Sequence, residues 1–252
     1  MVVLITGGSK GIGRATALKF AEKGYDIVIN YYSDDVSANE TKELILKYNV
    51  RCILEKCDVA NELEVNNMID DIIKNFGQID CLVNNAGISC DSLPFEKDMD
   101  DFKRVIDVNL IGTYLVSKCV SEYMQTGCII NVASNTGMNA YYPYSLDYDA
   151  SKAGVISLTH NLAVELSPGI RVNAVSPGWV NTDMNKNIDD EMIEEECENI
   201  FLKRFAEPSE IANVIYFLAS DDASYINNSI IRVDGGTYGS CWFNKKKWAT
   251  IR

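Results

Sequence analysis

The sequence predicts an α/β protein: one domain built on a doubly wound, seven-stranded parallel sheet with helices on both faces. Three observations carry that expectation. Short β-branched runs alternate with longer stretches of helical period along the chain, the pattern of strands buried on both sides. A glycine-rich turn joins the first apolar run to the first helical stretch. The 252 residues contain no Pro/Ser-rich or Gly/Ser-rich linker, no repeat and no low-complexity block, so one large domain with a sizeable core is expected.

Taken in order, the first strand is expected at 2–6 (Val2-Val3-Leu4-Ile5-Thr6) and the first helix at 12–23, directly after the glycines. A strand at 26–31 is followed by a helix at 35–48, and a strand at 51–57 by a helix at 61–76. The apolar run around Cys81-Leu82-Val83 marks a strand at 79–84, followed by a long helix at 99–125. Cys128-Ile129-Ile130 opens a strand at 128–133, with a helix at 148–166 and a strand at 170–176 after it. Helices at 189–200 and 208–220 precede a last strand at 229–233; Pro208 and Ser209 open the second of them, with Glu210 in its first turn. Right-handed crossovers would wind this sheet outward in both directions from its first strand, leaving a ligand site at the strand C-termini where the order switches.

A net charge of −13 argues against a phosphate-backbone binder, so nucleic acid is not an expected partner. The basic run Lys245-Lys246-Lys247 beside Trp248 reads as a solvated tail. None of the eight cysteines forms a CxxC or a Cys/His cluster with ligand spacing; most lie in apolar runs and read as small buried hydrophobes. No metal site is expected, and His160, the sole histidine, reads as structural. The apolar start is too short for a signal peptide and no run reaches the length of a membrane span, so a cytoplasmic location with no membrane partner is expected.

Two motifs carry chemistry. Thr6-Gly7-Gly8-Ser9-Lys10-Gly11-Ile12-Gly13 lies between strand and helix, where glycines allow a tight turn and close approach of a pyrophosphate to helix N–H groups. Its bland competitor is an ordinary strand-to-helix turn. An acidic side chain at the end of the second strand would bind a ribose 2′-OH, but Tyr31 stands there, followed by Tyr32, and Lys10 adds a positive charge; both favour NADP(H), with NAD(H) kept open by Asp34 and Asp35. The second motif is Tyr148 with Lys152, one helical turn apart. A phenol of pKa about 10 would need roughly 4 kcal/mol of preferential phenolate stabilisation to fall by about three units, and an adjacent ammonium supplies part of that.

Together the glycine turn, Asn84-Asn85-Ala86-Gly87, Ser134, Tyr148/Lys152, Pro177-Gly178 and Arg232-Val233-Asp234-Gly235-Gly236 resemble the short-chain dehydrogenase/reductase family, in order and spacing, over about residues 1–238. The segment 239–252 is an unmatched tail. The resemblance implies a Rossmann-type fold and a carbonyl/alcohol oxidoreductase in which Tyr148 exchanges a proton with the substrate oxygen, Ser134 bonds that oxygen, Lys152 lowers the Tyr148 pKa and holds the nicotinamide ribose, and Asn109 positions a water in a relay. For the cofactor it implies Gly7, Ser9, Lys10, Gly11, Ile12 and Gly13 at the pyrophosphate, and Tyr32, Asp58, Val59, Asn85, Ala86 and Gly87 on the adenosine side, with Asp58 bonding adenine. Pro177, Gly178, Val180 and Thr182 would meet the nicotinamide end. Ser134 can equally cap a turn, Asn109 can be a buried amide satisfied by backbone, and Asp58 can cap the helix near Asn61. Tyr141, Tyr142 and Tyr144 are rival phenols that lack a lysine four residues on and read as pocket walls.

Within the family, Gly87 to Leu93 and Pro177 to Met184 look most like 3-oxoacyl-[acyl-carrier-protein] reductases. A small-molecule carbonyl reductase or a sugar or polyol dehydrogenase, resembling glucose 1-dehydrogenase at Asn30-Tyr31, stays close behind. The expected substrate is therefore a small carbonyl or an acyl thioester. Glu122 to Gly127 lacks the basic charge an acidic carrier would meet, although Arg171 stands nearby. A non-catalytic dinucleotide sensor is the alternative of another class. Residues 183–203, acidic with Met184, Met192, Ile193, Ile200 and Phe201 interspersed, read as a substrate lid or an ordinary amphipathic surface helix. Family members are commonly homotetramers or homodimers, with Tyr114, Leu115, Leu158 and Leu162 as candidate contact residues.

Overall fold

The computed structural model describes residues 1–138, 142–186 and 188–237. Seven parallel strands, β1 (Val2–Ile5), β2 (Asp26–Tyr31), β3 (Cys52–Lys56), β4 (Cys81–Asn84), β5 (Gly127–Val132), β6 (Ile170–Pro177) and β7 (Ile230–Val233), form one sheet in the order β3-β2-β1-β4-β5-β6-β7. The order reverses between β1 and β4, which pair in parallel with Val3 opposite Cys81 and Ile5 opposite Val83. Crossovers are α1 (Gly11–Glu22), α2 (Asp35–Leu46), α3 (Glu62–Phe76), α4 (Met99–Ile106), α5 (Gly112–Ser121), α6 (Leu146–Glu165), α7 (Asp190–Asn199) and α8 (Pro208–Ala219). The doubly wound sheet expected from the alternation is the one observed.

Period-2 alternation along the strands divides the core between two faces. Leu4, Val28, Leu82 and Ile129 pack with Val65, Ile69 and Ile72 of α3 and Val116 and Val120 of α5. Val3, Ile5, Ile27, Ile29 and Ile130 pack on the other face with Phe20 of α1 and Ile211 and Ile215 of α8. Helix starts follow their side chains: Asp34 accepts from Ser37 N (2.9 Å) at α2, and Asn61 accepts from Leu63 N and Glu64 N at α3. Thus Asn61, not Asp58, caps α3. Among the described residues no helix is long and apolar enough to cross a membrane.

Two boundaries differ from the sequence expectation. The single helix expected at 99–125 is α4 and α5 joined by a wide π turn, Asp107–Ile111, in which Gly112 N–H reaches the Asp107 carbonyl. The extra residue in that turn lets the Asn109 amide leave the helix for Ile88 and Ser151 rather than project along it. Helix α6 begins at Leu146, two residues before Tyr148, because the Asp147 carboxylate satisfies Tyr148 N–H (2.9 Å) in its first turn. The expected lid helix is α7, preceded by a 3-10 turn at Asp183–Asn185. The tail 239–252, with Cys241 and the basic run, lies outside the described residues, as does Tyr141.

The candidate contact residues for self-association do not share one exposed face. Tyr114 is exposed, but Leu115 is buried and Leu162 packs on the core. Arg171 is also not a docking cation: its guanidinium donates to the carbonyls of Leu218 (2.8 Å) and Ile226 (3.1 Å). His160 pairs with Asn228 Oδ1 on the surface, in keeping with a structural role.

Candidate active site

The glycine turn is a cradle that side chains would fill. Gly7 and Gly11 have φ of 62° and 51°, and a Cβ on Gly13 would fall 2.2 Å from the Gly7 carbonyl oxygen. Lys10, the residue before α1, makes no side-chain cap, so the first-turn N–H groups of that helix face the turn. Ser9 holds the loop through its carbonyl, which accepts from Arg14 Nε (3.0 Å) and Thr41 Oγ1 (2.9 Å), while Ile12 packs on the core. Thr6 is a hub the sequence reading missed: its hydroxyl accepts from Asn85 N and Ala86 N, both at 3.0 Å. Asn85 Nδ2 in return donates to the Thr6 (2.9 Å) and Gly7 (3.0 Å) carbonyls, so the ends of β1 and β4 form one rigid floor. A hydroxyl directly before the first glycine was the available signal.

At the β2 end, the Tyr31 hydroxyl donates to Asp35 Oδ1 (2.8 Å), and Lys10 is ion-paired with Asp34. The charge expected to stand free for a 2′-phosphate thus already has a carboxylate partner. Asp58 differs in a similar way. One oxygen accepts from Ala60 N (3.0 Å) and the other pairs with Arg104 Nη1 (2.9 Å), so its carboxylate is engaged within the protein. Arg104 in turn lies over the exposed Tyr32 ring, 5.4 Å from its centroid. Sequence reasoning missed Arg104, since nothing local links residue 104 to residue 32. Val59 is buried under Gly112, whose Cβ would lie 2.7 Å from the valine Cγ2.

The switch point brings the chemical groups together. Gly87 closes on both Asn109 and Lys152: a Cβ there would sit 3.4 Å from Asn109 Oδ1 and 3.5 Å from Lys152 Nζ. The Asn109 amide is saturated by Ile88 N (2.8 Å), Ile88 O (3.0 Å) and Ser151 Oγ (3.0 Å), the backbone-satisfied alternative. Lys152 is buried and donates to the Val132 carbonyl (2.8 Å), with its ammonium over the Tyr148 ring at 5.5 Å from the centroid. Ser134, at the end of β5, accepts from Thr136 Oγ1 (3.0 Å) and also hydrogen-bonds to the Tyr148 phenol.

The net shift of the phenol runs opposite to the direction the sequence suggests. Burial pushes the Tyr148 phenol up to about 12, with the Ser134 hydrogen bond acting in the opposite direction. Burial pushes the Lys152 ammonium down to about 8. Burial disfavours both charged forms and outweighs any lowering of the phenol by the Lys152 ammonium, which lies over the ring.

Beyond β6, the Pro177-Gly178 turn is locked by Gly178 N–H on the Val233 carbonyl (3.2 Å), and a Gly178 Cβ would meet Asp234 Cβ at 2.9 Å. Thr182 reaches back to the glycine turn, its Cγ2 3.2 Å from a Cβ built on Gly11, which brings it to the pyrophosphate end. Val180 is buried in the core, leaving only its backbone to meet a ligand. Tyr142 and Tyr144 form an aromatic wall with Trp179 (centroids 5.4 and 5.9 Å from Tyr142), and Trp179 stacks on Phe205. Helix α7 closes onto that wall, with Trp179 Nε1 donating to Glu196 Oε2 at 2.9 Å. Burial raises the Glu196 carboxyl.

Residues 7–238 match the model of a family described as enoyl-(acyl carrier protein) reductase. A structure of a short-chain type dehydrogenase/reductase from Mycobacterium marinum superposes with a TM-score of 0.89 at 32% identity, covering 93% of this chain and 94% of that one. The chain belongs to the short-chain dehydrogenase/reductase family. Among curated relatives of this oxidoreductase family, 3-oxoacyl-[acyl-carrier-protein] reductase of Staphylococcus epidermidis is 42% identical over 239 residues, spanning 93% of this chain and 98% of its own. Glucose 1-dehydrogenase 2 of Bacillus subtilis is 34% identical over 240 residues, 92% of this chain and 93% of its own. Membership gives the glycine cradle a ligand class: a nicotinamide dinucleotide, which the Gly7, Gly11 and Gly13 backbone fits by leaving no room for side chains.

Proposed function

We propose that this short-chain dehydrogenase/reductase is an NADP(H)-preferring reductase of the 3-oxo group of an acyl thioester. The observation that carries the reading is the convergence of Tyr148, Ser134 and Lys152 beside Gly87, at the strand C-termini next to the glycine cradle. A bound nicotinamide supplies the hydride. Ser134 orients the carbonyl oxygen, and Tyr148, protonated at neutral pH with its phenol near 12, delivers the proton to that oxygen. Lys152 holds the ribose hydroxyls and stabilises the phenolate that remains. With its side-chain amide engaged by Ile88 and Ser151, Asn109 would position a water in the relay through its backbone carbonyl, which also accepts from the Thr113 hydroxyl.

NADP(H) is favoured by Tyr31 in place of an acid, with a 2′-phosphate taking over Lys10 from Asp34; NAD(H) is the competing cofactor. A second reading, a small-molecule carbonyl or polyol substrate, is favoured by the absence of positive charge over Glu122 to Gly127 and by the internal use of Arg171. Screening acetoacetyl thioesters, simple ketones and aldoses against NADPH and NADH tests both. The highest kcat/KM is expected for acetoacetyl thioester with NADPH. A higher value for a ketone or sugar replaces the substrate reading, and a higher value with NADH replaces the cofactor reading.

The Lys152 ammonium near 8 makes a pH prediction. Its charged form is needed to stabilise the phenolate, so log kcat/KM for carbonyl reduction is expected to be flat below pH 8 and to fall above it. The Lys152→Met variant is expected to lose that limb along with most of the rate. An unchanged profile in the variant would remove Lys152 from the proton path.

A further inference from the structure

Lys97 and Asp147 form an ion pair at 2.8 Å whose side chains are 4% and 0% exposed. Lysine and aspartate are almost never so buried, and desolvating both costs more than their attraction returns unless further groups satisfy them. Those further groups are particular ones. The Lys97 ammonium also donates to the Cys90 carbonyl, closing a loop between residues seven positions apart within the segment between β4 and α4. The second oxygen of Asp147 accepts the backbone N–H of Tyr148 at 2.9 Å. One carboxylate thus holds the loop on one side and the proposed proton donor on the other.

Beyond Ile88, which Asn109 holds at both its N–H and its carbonyl, the segment has few other anchors. Ser92 N–H reaches the Tyr144 carbonyl (2.9 Å), and the Cys90 thiol meets Asp101 Oδ2 (3.3 Å), while Phe95 is fully exposed. Asp91 of the same segment lies near enough to act electrostatically on both Tyr148 and Tyr142, which places this loop beside the proton donor and its aromatic wall. Met at 97 and Asn at 147 would fill similar volumes without the cost of buried charge. What they would not supply is a strong, directional tie between loop and helix.

We propose that Lys97 and Asp147 are positioning residues that tether the 88–98 loop to the first turn of α6, so that the substrate wall and the proton donor are set by one contact. This rests on the reductase reading for its kinetic consequence, but not for its structural one. The test uses Lys97→Met, Asp147→Asn and the double variant, the last having no unpaired buried charge. In the double variant, melting temperature and NADPH binding measured by fluorescence are expected to stay near those of the parent. Substrate KM is expected to rise about tenfold with kcat far less affected, as the loop no longer holds the substrate in register. Chymotrypsin cleavage after Phe95 is expected to accelerate in the double variant without any substrate present.

Lys97→Met alone is expected to lose kcat as well, since an unpaired carboxylate beside Tyr148 draws water into the first turn. A folded double variant with parental cleavage rate and parental KM would overturn the tether. Faster cleavage with no turnover by the parent on any carbonyl would support the tether while removing the reductase reading, so the two fail separately.

Discussion

Replacing Tyr148 by Phe is expected to abolish carbonyl reduction while leaving the fold and NADPH affinity nearly intact. The ring still fills its place over Lys152, and only the oxygen next to Ser134 is removed. A positioned general acid contributes roughly 10²- to 10⁴-fold. The neighbouring Tyr142 ring is packed into the aromatic wall with Tyr144 and Trp179. Stopped-flow or steady-state NADPH oxidation with a turned-over carbonyl, alongside fluorescence titration of the cofactor, makes the measurement. Turnover within a few-fold of the parent would sink the mechanism, and a lost cofactor signal would mean that the ring, not its hydroxyl, was needed.

Gly13→Ala is expected to have the second largest effect, and on a different quantity. An added methyl would lie 2.2 Å from the Gly7 carbonyl oxygen, 2.6 Å from Asn85 Nδ2 and 2.9 Å from Gly8 Cα. Two of those neighbours are backbone, so relief requires opening the turn. Overpacking of this kind costs about 1–3 kcal/mol in stability. The turn so opened also breaks the Asn85 bonds to the Thr6 and Gly7 carbonyls that hold β1 and β4 in register at the site. Dinucleotide affinity is expected to fall at least tenfold by calorimetry, with a lowered melting temperature. By contrast, Gly24→Ala meets no atom within 4 Å and serves as the uncrowded control. An equal loss of dinucleotide affinity at Gly24 would show that crowding of the turn is not its cause.

Much of the molecule was legible because its signals are local. Val2 to Ile5 and Ile27 to Ile29 are apolar on both faces of the strand, and the helices that cover them repeat with helical period, so the sheet type and its winding outward from the first strand followed from the alternation. The glycine turn was legible because only glycine fits where backbone meets backbone. The π turn at Asn109 was not. A helix of continuous sequence period gives no sign that one amide will be drawn out by Ile88 and Ser151, residues 21 and 42 positions away. The buried status of Leu115 was also hidden, because the rotation of α5 about its axis depends on the sheet beneath it.

What the chain determined by itself was the order of its elements, the cradle at residues 7–13 and the family to which it belongs. Each rests on spacing within a few residues or on motifs arranged in sequence. Only the tertiary structure decided how the charges were spent: Lys10 on Asp34, Asp58 on Arg104, Lys97 on Asp147, and Lys152 over the Tyr148 ring. The physical reason is that a charge takes the nearest partner in space, and burial sets how far its pKa moves. Neither quantity is written in the local pattern. For Tyr148 and Lys152 the one-turn spacing told which residues meet, and the depth of the cleft reversed the expected direction of the phenol's shift.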